Sequence, residues 1–136
     1  MQREPTFRRF GVHPSSGVPV YRQIMDAVRA EIASGHRPVG SFLPSVREVA
    51  KELEINPMTV SKAYSLLESE GVVERLPGQG MRVLAPVARG SRAQRREELR
   101  VELAQLLTRA YALGLEGTDV RELLAELLEE EEKRDG

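Results

Sequence analysis

Leu43-Pro44-Ser45-Val46-Arg47-Glu48-Val49-Ala50 and, after five more residues, Asn56-Pro57-Met58-Thr59-Val60-Ser61-Lys62-Ala63-Tyr64 form the stretch on which the fold turns. Ser45 and Glu48 have the Ser-x-x-Glu spacing of a capping box: the hydroxyl takes the N–H of N3 and the carboxylate returns to the N-cap N–H. A helix therefore starts at Ser45, with Val46, Val49, Ala50 and Leu53 on its buried side. Arg47 and Lys51, four apart, share another side. Glu54-Ile55 reads as the turn, with Ile55 buried at its corner. Asn56 is a strong N-cap and Pro57 a favourable N1 residue, so a second helix follows at once. Two short helices joined in this way make a helix-turn-helix.

The second helix carries Val60, Ala63, Tyr64 and Leu67 on its apolar face and stops at Gly71. Met58, Thr59, Ser61, Lys62 and Ser65 lie opposite. Short hydroxyl side chains and one lysine near a helix N-terminus permit close approach to a phosphate and a base edge, and the free N–H groups favour an anion. Small polar residues also populate any solvated helix face, so the elements that follow shift the balance. Val72-Val73-Glu74-Arg75-Leu76 is a β-rich run, Pro77-Gly78-Gln79-Gly80 a turn, and Met81-Arg82-Val83-Leu84 a returning run. This is a wing. Gly78 and Gly80 allow close approach of the backbone, and Arg75 and Arg82 flank the tip with positive charge.

Upstream, Tyr21, Ile24, Val28 and Ile32 recur at spacings of three and four behind Pro19, predicting a helix over about 19–34 that ends at Gly35. Its apolar stripe closes the core and its polar residues face water. Residues 36–44 hold two prolines and Gly40 and read as a linker; His36 has no carboxylate or cysteine beside it and reads as an exposed loop residue. Residues 1–17, with Arg3, Arg8 and Arg9, read as a lead-in without regular structure. The alternative for this segment is a basic arm that touches phosphates.

Val18-Pro19-Val20-Tyr21-Arg22-Gln23-Ile24, the two segments quoted first, Leu67-Glu68-Ser69-Glu70-Gly71 and Gly78-Gln79-Gly80 resemble, in this order over about residues 10–84, the DNA-binding domain of GntR-type bacterial transcription regulators. The resemblance implies that Arg47 grips the operator. It places Asn56, Met58, Thr59, Ser61 and Lys62 on the side of the recognition helix that faces the major groove, and Gly78 and Gln79 at a wing tip that enters the minor groove. Together with Ser45, Arg75 and Gly80, these residues are the candidate DNA contacts. Some family members carry arginines where this chain has Pro57 and Ser61, so no particular operator sequence carries over.

Behind a linker at 85–91, Leu99, Leu103, Leu106, Ala110 and Leu113 alternate steps of four and three, the seam of a coiled coil or bundle. Residues 114–117 break the pattern. Thr118 or Asp119 then caps a last helix with Val120, Leu123, Leu124, Leu127 and Leu128. The short break implies an antiparallel hairpin, and two helices alone bury too little to stand apart. Leu99, Leu103, Leu106, Ala110, Leu113, Val120, Leu124 and Leu127 are therefore the candidate dimerisation residues, with packing back onto the chain's own DNA-binding domain as the alternative. Arg92, Arg95, Arg96 and Arg100 open the first helix and Glu129–Glu132 end the second; each cluster opposes its own helix dipole. An antiparallel hairpin predicts that the two clusters offset one another within the chain. The resemblance here is to the YtrA-like subgroup, which implies a short dimerising C-terminal part and control of transporter operons.

The predicted fold class is mainly α with a small β hairpin. The predicted organisation is lead-in 1–17, winged helix-turn-helix 18–84, linker 85–91 and two-helix dimerisation domain 92–134. Composition bounds the function. The 136 residues include no Cys and two His, which excludes disulfides and leaves little with which to build a metal site. No apolar run reaches the ~20 residues that span a bilayer, so no membrane partner and a cytoplasmic location are expected. The net charge of -1 hides an asymmetry: residues 1–88 hold 11 Lys and Arg against 9 Asp and Glu, and residues 89–136 hold 9 against 12. No nucleophile–base set, carboxylate pair or phosphate loop is visible, so an enzyme is not expected and no cofactor is implied. The reading is a homodimeric transcriptional regulator, a repressor, on a pseudo-palindromic double-stranded DNA operator. The alternative is a protein-interaction winged helix without DNA binding. The residues identify no small-molecule effector.

Overall fold

The structure, a computed structural model, describes residues 12–84 and 90–135. The expected arm with Arg3, Arg8 and Arg9, and the linker residues 85–89, lie outside the described residues. Contacts divide the chain into two units, Met1–Val87 and Ala88–Gly136. The class is mainly α with one antiparallel two-stranded hairpin, as the sequence predicts.

In the first unit, helix α1 (Val20–Ala33) buries Ile24, Met25, Ala27, Val28 and Ile32. Its polar residues do not all face water. Glu31 is only 5% exposed; its carboxylate accepts from the Arg37 Nε at 2.6 Å and its carbonyl from the Arg37 N–H at 3.1 Å. Two turns beyond Ile24, Glu31 falls on the apolar stripe, and the chain after the helix returns an arginine to neutralise it. The lead-in is also more regular than expected. Pro14–Ser16 form a 3-10 turn, and Gln23 ties it to α1. The Gln23 side-chain oxygen accepts from the His13 N–H at 2.7 Å, and its amide nitrogen donates to the His13 and Val18 carbonyls at 2.9 and 2.8 Å.

Helices α2 (Val46–Leu53) and α3 (Pro57–Ser69) begin at the expected caps. The Ser45 hydroxyl accepts from the Glu48 N–H at 3.1 Å and the Asn56 side chain from the Met58 N–H at 2.8 Å. The turn between them is a Schellman arrangement, with the Glu54 and Ile55 N–H groups on the Lys51 and Ala50 carbonyls. Glu54 occupies the left-handed position, at φ 56°, where the equivalent residue after α3 is Gly71, at φ 77°. Val49, Val60, Ala63, Tyr64 and Leu67 from these helices join the core of α1.

Strands β1 (Val73–Leu76) and β2 (Gly80–Val83) close that core with Val73, Met81 and Val83. The expected linker 36–44 is in part a third edge. Gly40 N–H donates to Val83 O, Val83 N–H to Ser41 O and Leu43 N–H to Met81 O at 2.8–2.9 Å, with a bridge between Phe42 and Arg82. Prolines prevented a periodic reading, yet these residues cover the open side of β2.

In the second unit, Ser91 and Gln94 form a reciprocal capping box at the start of α4 (Arg92–Ala112), and Gly114 terminates the helix at φ 80°. Helix α5 is Gly117–Asp135. It starts before the expected caps, and Asp119, in its first turn, accepts from the Glu116 N–H at 2.7 Å. Ala110 is the one buried apolar residue among those described in this unit. The remaining predicted seam stays open: Leu103, at 40% exposed on α4, and Leu113, at 65% just past the end of that helix, mark its range, while Leu124 and Leu127 are exposed and Val120 half-buried on α5. Among the described residues Arg96 and Arg100 make no ion pair. Among the described residues these two arginines thus do not make the charge compensation expected within one chain, and Leu103 and Leu106, which follow them on α4, stay exposed.

Candidate nucleic-acid interface

Helix α3 buries Val60, Ala63, Tyr64 and Leu67, and its 3.6-residue period leaves Met58, Ser61, Lys62 and Ser65 exposed with Thr59 half-buried. Met58 reaches 77% exposure, far beyond what packing would ask of an apolar side chain. Asn56 uses its side-chain oxygen for the cap, so its amide N–H groups are what it can offer outward. Arg47 sits in the first turn of α2, exposed and without an ion pair among the described residues.

The wing stands on the period of two. Val73 pairs with Val83 and Arg75 with Met81, so Arg75 shares the core-facing side of the hairpin while lying closer to its tip. Met81 still belongs to the core, whereas Arg75 opposite it is exposed and lines a cleft of about 350 Å³. This cleft brings Ser45, Ser61, Arg75, Gln79 and Gly80 together; Leu43, Pro44, Val46, Glu48, Tyr64 and Met81 complete its walls. Arg47, Asn56, Met58, Thr59, Lys62 and Gly78 are outside its lining.

Arg82 does not add free charge at the tip, because it is opposite Glu74 in the register and pairs with it. Arg75 approaches Glu68 only to 3.9 Å and remains exposed. Arg29–Glu70 and Arg37–Glu31 occupy two more arginines. Among the described residues, what remains for an anion on the helix-turn-helix and wing is Arg47, Lys51, Lys62 and, in part, Arg75. Lys62 is itself placed: its Nζ lies 4.0 Å from the centre of the Tyr21 ring, a cation–π contact that links α3 to α1.

Both wing glycines are demanded by the backbone. Gly78 has φ 75° behind Pro77, with Gln79 N–H on Leu76 O at 2.9 Å, the pattern of a type II turn; Gly80 has φ 122°. The second glycine therefore does not by itself mark close approach to a partner, contrary to the expectation.

Sequence reasoning missed Tyr64 and Glu48 as polar walls of the cleft. The Tyr64 hydroxyl donates to the Pro44 carbonyl at 2.7 Å, directly before the cap of α2. Burial raises its pKa, Arg37 opposes this, and Glu48 and Glu31 add to it. Tyr64 falls on the apolar side of α3, so its pattern signals core; a phenol in a core seeks an acceptor, which is the signal that was available. Nothing in the spacing of Glu48 beyond the capping box points to the cleft.

A helix-turn-helix with an exposed polar second helix, an exposed arginine on the first and a flanking hairpin defines a winged helix-turn-helix DNA-binding module. Residues 20–83 match the family described as bacterial regulatory proteins, gntR family. The chain is 34% identical over 116 residues to the HTH-type transcriptional repressor YtrA of Bacillus subtilis, covering 85% of this chain and 89% of that protein. In structure it is similar to a transcriptional regulator from Oenococcus oeni, with 30% identity, a TM-score of 0.53 and coverage of 87% and 98%. It is also similar to a transcriptional antiterminator from Listeria monocytogenes EGD-e, with 28% identity, a TM-score of 0.59 and coverage of 86% and 87%. The chain belongs to the GntR family and fits its YtrA-like subgroup. It is accordingly a DNA-binding transcriptional regulator and not an enzyme. Among the described residues no helix is long and apolar enough to cross a membrane.

Proposed function

We propose that this regulator is a homodimeric repressor that binds a pseudo-palindromic operator, with residues 18–84 reading DNA and residues 92–134 holding two copies together. On the family resemblance, its regulated genes are those of an ABC transporter. Arg47 anchors on phosphate or guanine. Ser45, Asn56, Met58, Thr59, Ser61 and Lys62 present the major-groove surface, and Arg75, Gly78, Gln79 and Gly80 the wing contact. The observation that carries this reading is the pairing of an exposed reading surface of modest charge with an exposed leucine seam. Among the described residues one copy offers few cations for a duplex, whereas two at a defined spacing double the contacts and impose symmetry. Leu99, Leu103, Leu106, Leu113, Val120, Leu124 and Leu127 supply the dimer interface, while Ala110, expected among them, is already buried within its own hairpin.

Sequencing the genomic fragments bound by the purified full chain tests this. The expected result is an inverted repeat with half-sites about one helical turn apart, occupied by a dimer in solution. Recovery of single, asymmetric sites bound by a monomer would overturn it.

A further inference from the structure

The leucine seams of α4 and α5 do not end in apolar residues. Stepping back from Leu99 by three and then four reaches Arg96 and Arg92, and stepping on from Val120, Leu124 and Leu127 by four reaches Glu131. Glu131 is half-buried although residues 121–130 are all exposed. Arg96 lines a shallow groove along α4 with Ala93, Glu97, Leu99, Arg100 and Leu103, in which arginine outnumbers glutamate, and has no ion pair among the described residues. The two seams therefore become charged at their free ends, with opposite signs.

We propose that Arg96 and Glu131 set the register of the dimer: Arg96 of one subunit pairs with Glu131 of the partner subunit. The occupant of the open α4 groove is then α5 of a second copy, and the inference rests on the homodimer proposed above. Charge at a seam position is tolerated on association only where the facing helix presents the opposite charge, which is how polar seam residues select one register. Heights agree. Arg96 lies 19 residues before Leu115 and Glu131 lies 16 after it, or about 28 and about 24 Å from the turn at ~1.5 Å per residue, less than one helical turn apart. The match requires the two hairpins to lie with their turns at the same end of the bundle. In the inverted arrangement Arg96 would sit beside the partner's turn, away from the acidic end. A guanidinium can also hold a carboxylate through two parallel hydrogen bonds, so the pair fixes orientation as well as sign.

The test uses three full-length variants, Arg96→Glu, Glu131→Arg and the double variant, with dimerisation followed by sedimentation equilibrium and helical content by circular dichroism. Each single variant is expected to raise the dimer dissociation constant about tenfold or more, because both symmetric pairs become like-charged. An equimolar mixture of the two single variants is expected to recover wild-type association as a heterodimer, since both cross-pairs are then opposite in sign. Single variants that dimerise like the wild type would overturn the inference and leave the dimer standing. Recovery in the double variant without recovery in the mixture would also overturn it, because the pair would then lie within one chain. A monomeric wild type would overturn the dimer reading and the inference together.

Discussion

Replacing Tyr64 by phenylalanine removes one oxygen from the joint between the two helices of the reader, and its effect should fade with rising pH. The hydroxyl donates to the Pro44 carbonyl at 2.7 Å from a side chain that is 2% exposed. At pH 7 the substitution loses a hydrogen bond worth about 1 kcal/mol net. Burial first of all, against the opposing Arg37 and with help from Glu48 and Glu31, raises the phenol's pKa in the folded state. A phenol is charged when it has lost its proton, so the folded protein keeps that proton where the unfolded chain, with an ordinary pKa of about 10, has released it. The stability tied to Tyr64 is therefore complete below about pH 10 and falls as pH rises towards the folded pKa. At pH 11, one unit above the unfolded pKa, the wild type has lost on the order of 1 kcal/mol that the variant cannot lose. Tyr64→Phe should be less stable by about 1 kcal/mol at pH 7 and equal or slightly more stable at pH 11. Urea unfolding of both proteins at one concentration, at pH 7, 9, 10 and 11, isolates Tyr64 because every other group titrates in both. A difference that stays constant across this range would refute the raised pKa, and no difference at pH 7 would refute the hydrogen bond's contribution.

Glu54→Gly should stabilise the fold by about 0.4–1 kcal/mol, since Glu54 holds φ 56° where Gly71 serves the same turn after α3; a lowered thermal midpoint would contradict this. Arg37→Ala should destabilise by about 2–4 kcal/mol, because it leaves the Glu31 carboxylate buried without its partner; urea unfolding at pH 7 measures it, and a loss under 1 kcal/mol would show that water replaces the arginine. Arg47→Ala should weaken binding to the operator by about 1–3 kcal/mol in a gel-shift titration at fixed salt, with the thermal midpoint unchanged. Full affinity in that variant would remove Arg47 from the interface.

Local signals made much of the reader legible. The caps at Ser45 and Asn56, the stop at Gly71, the type II signal Pro77-Gly78 and the helical stripe of α1 act over a few residues and do not depend on what packs beside them. Residues 36–44 are irregular, as a linker would be, but their pairing with β2 is illegible in the sequence for the complementary reason. Their hydrogen bonds run to β2, some forty residues on in sequence, and two prolines suppress any local pattern. Glu31 shows the same limit, since a glutamate reads as solvent-facing until the loop that returns Arg37 to it is known.

The candidate interface divides along this line. By itself the sequence determined which residues of α3 point away from the core, because that follows from a 3.6-residue period and an apolar stripe. It also determined the leucine seam and the opposite charges at its two ends, which are properties of spacing. Only the tertiary structure decided which cations remain available. Arg82 is spent on Glu74 across the hairpin, Lys62 is held over Tyr21, Arg75 is turned into the cleft, and Arg96 finds no partner among the described residues of its own chain. A pattern states which side of an element a charge occupies, while its energy depends on what other elements bring within a few ångströms, and that distance exists only after the chain has folded.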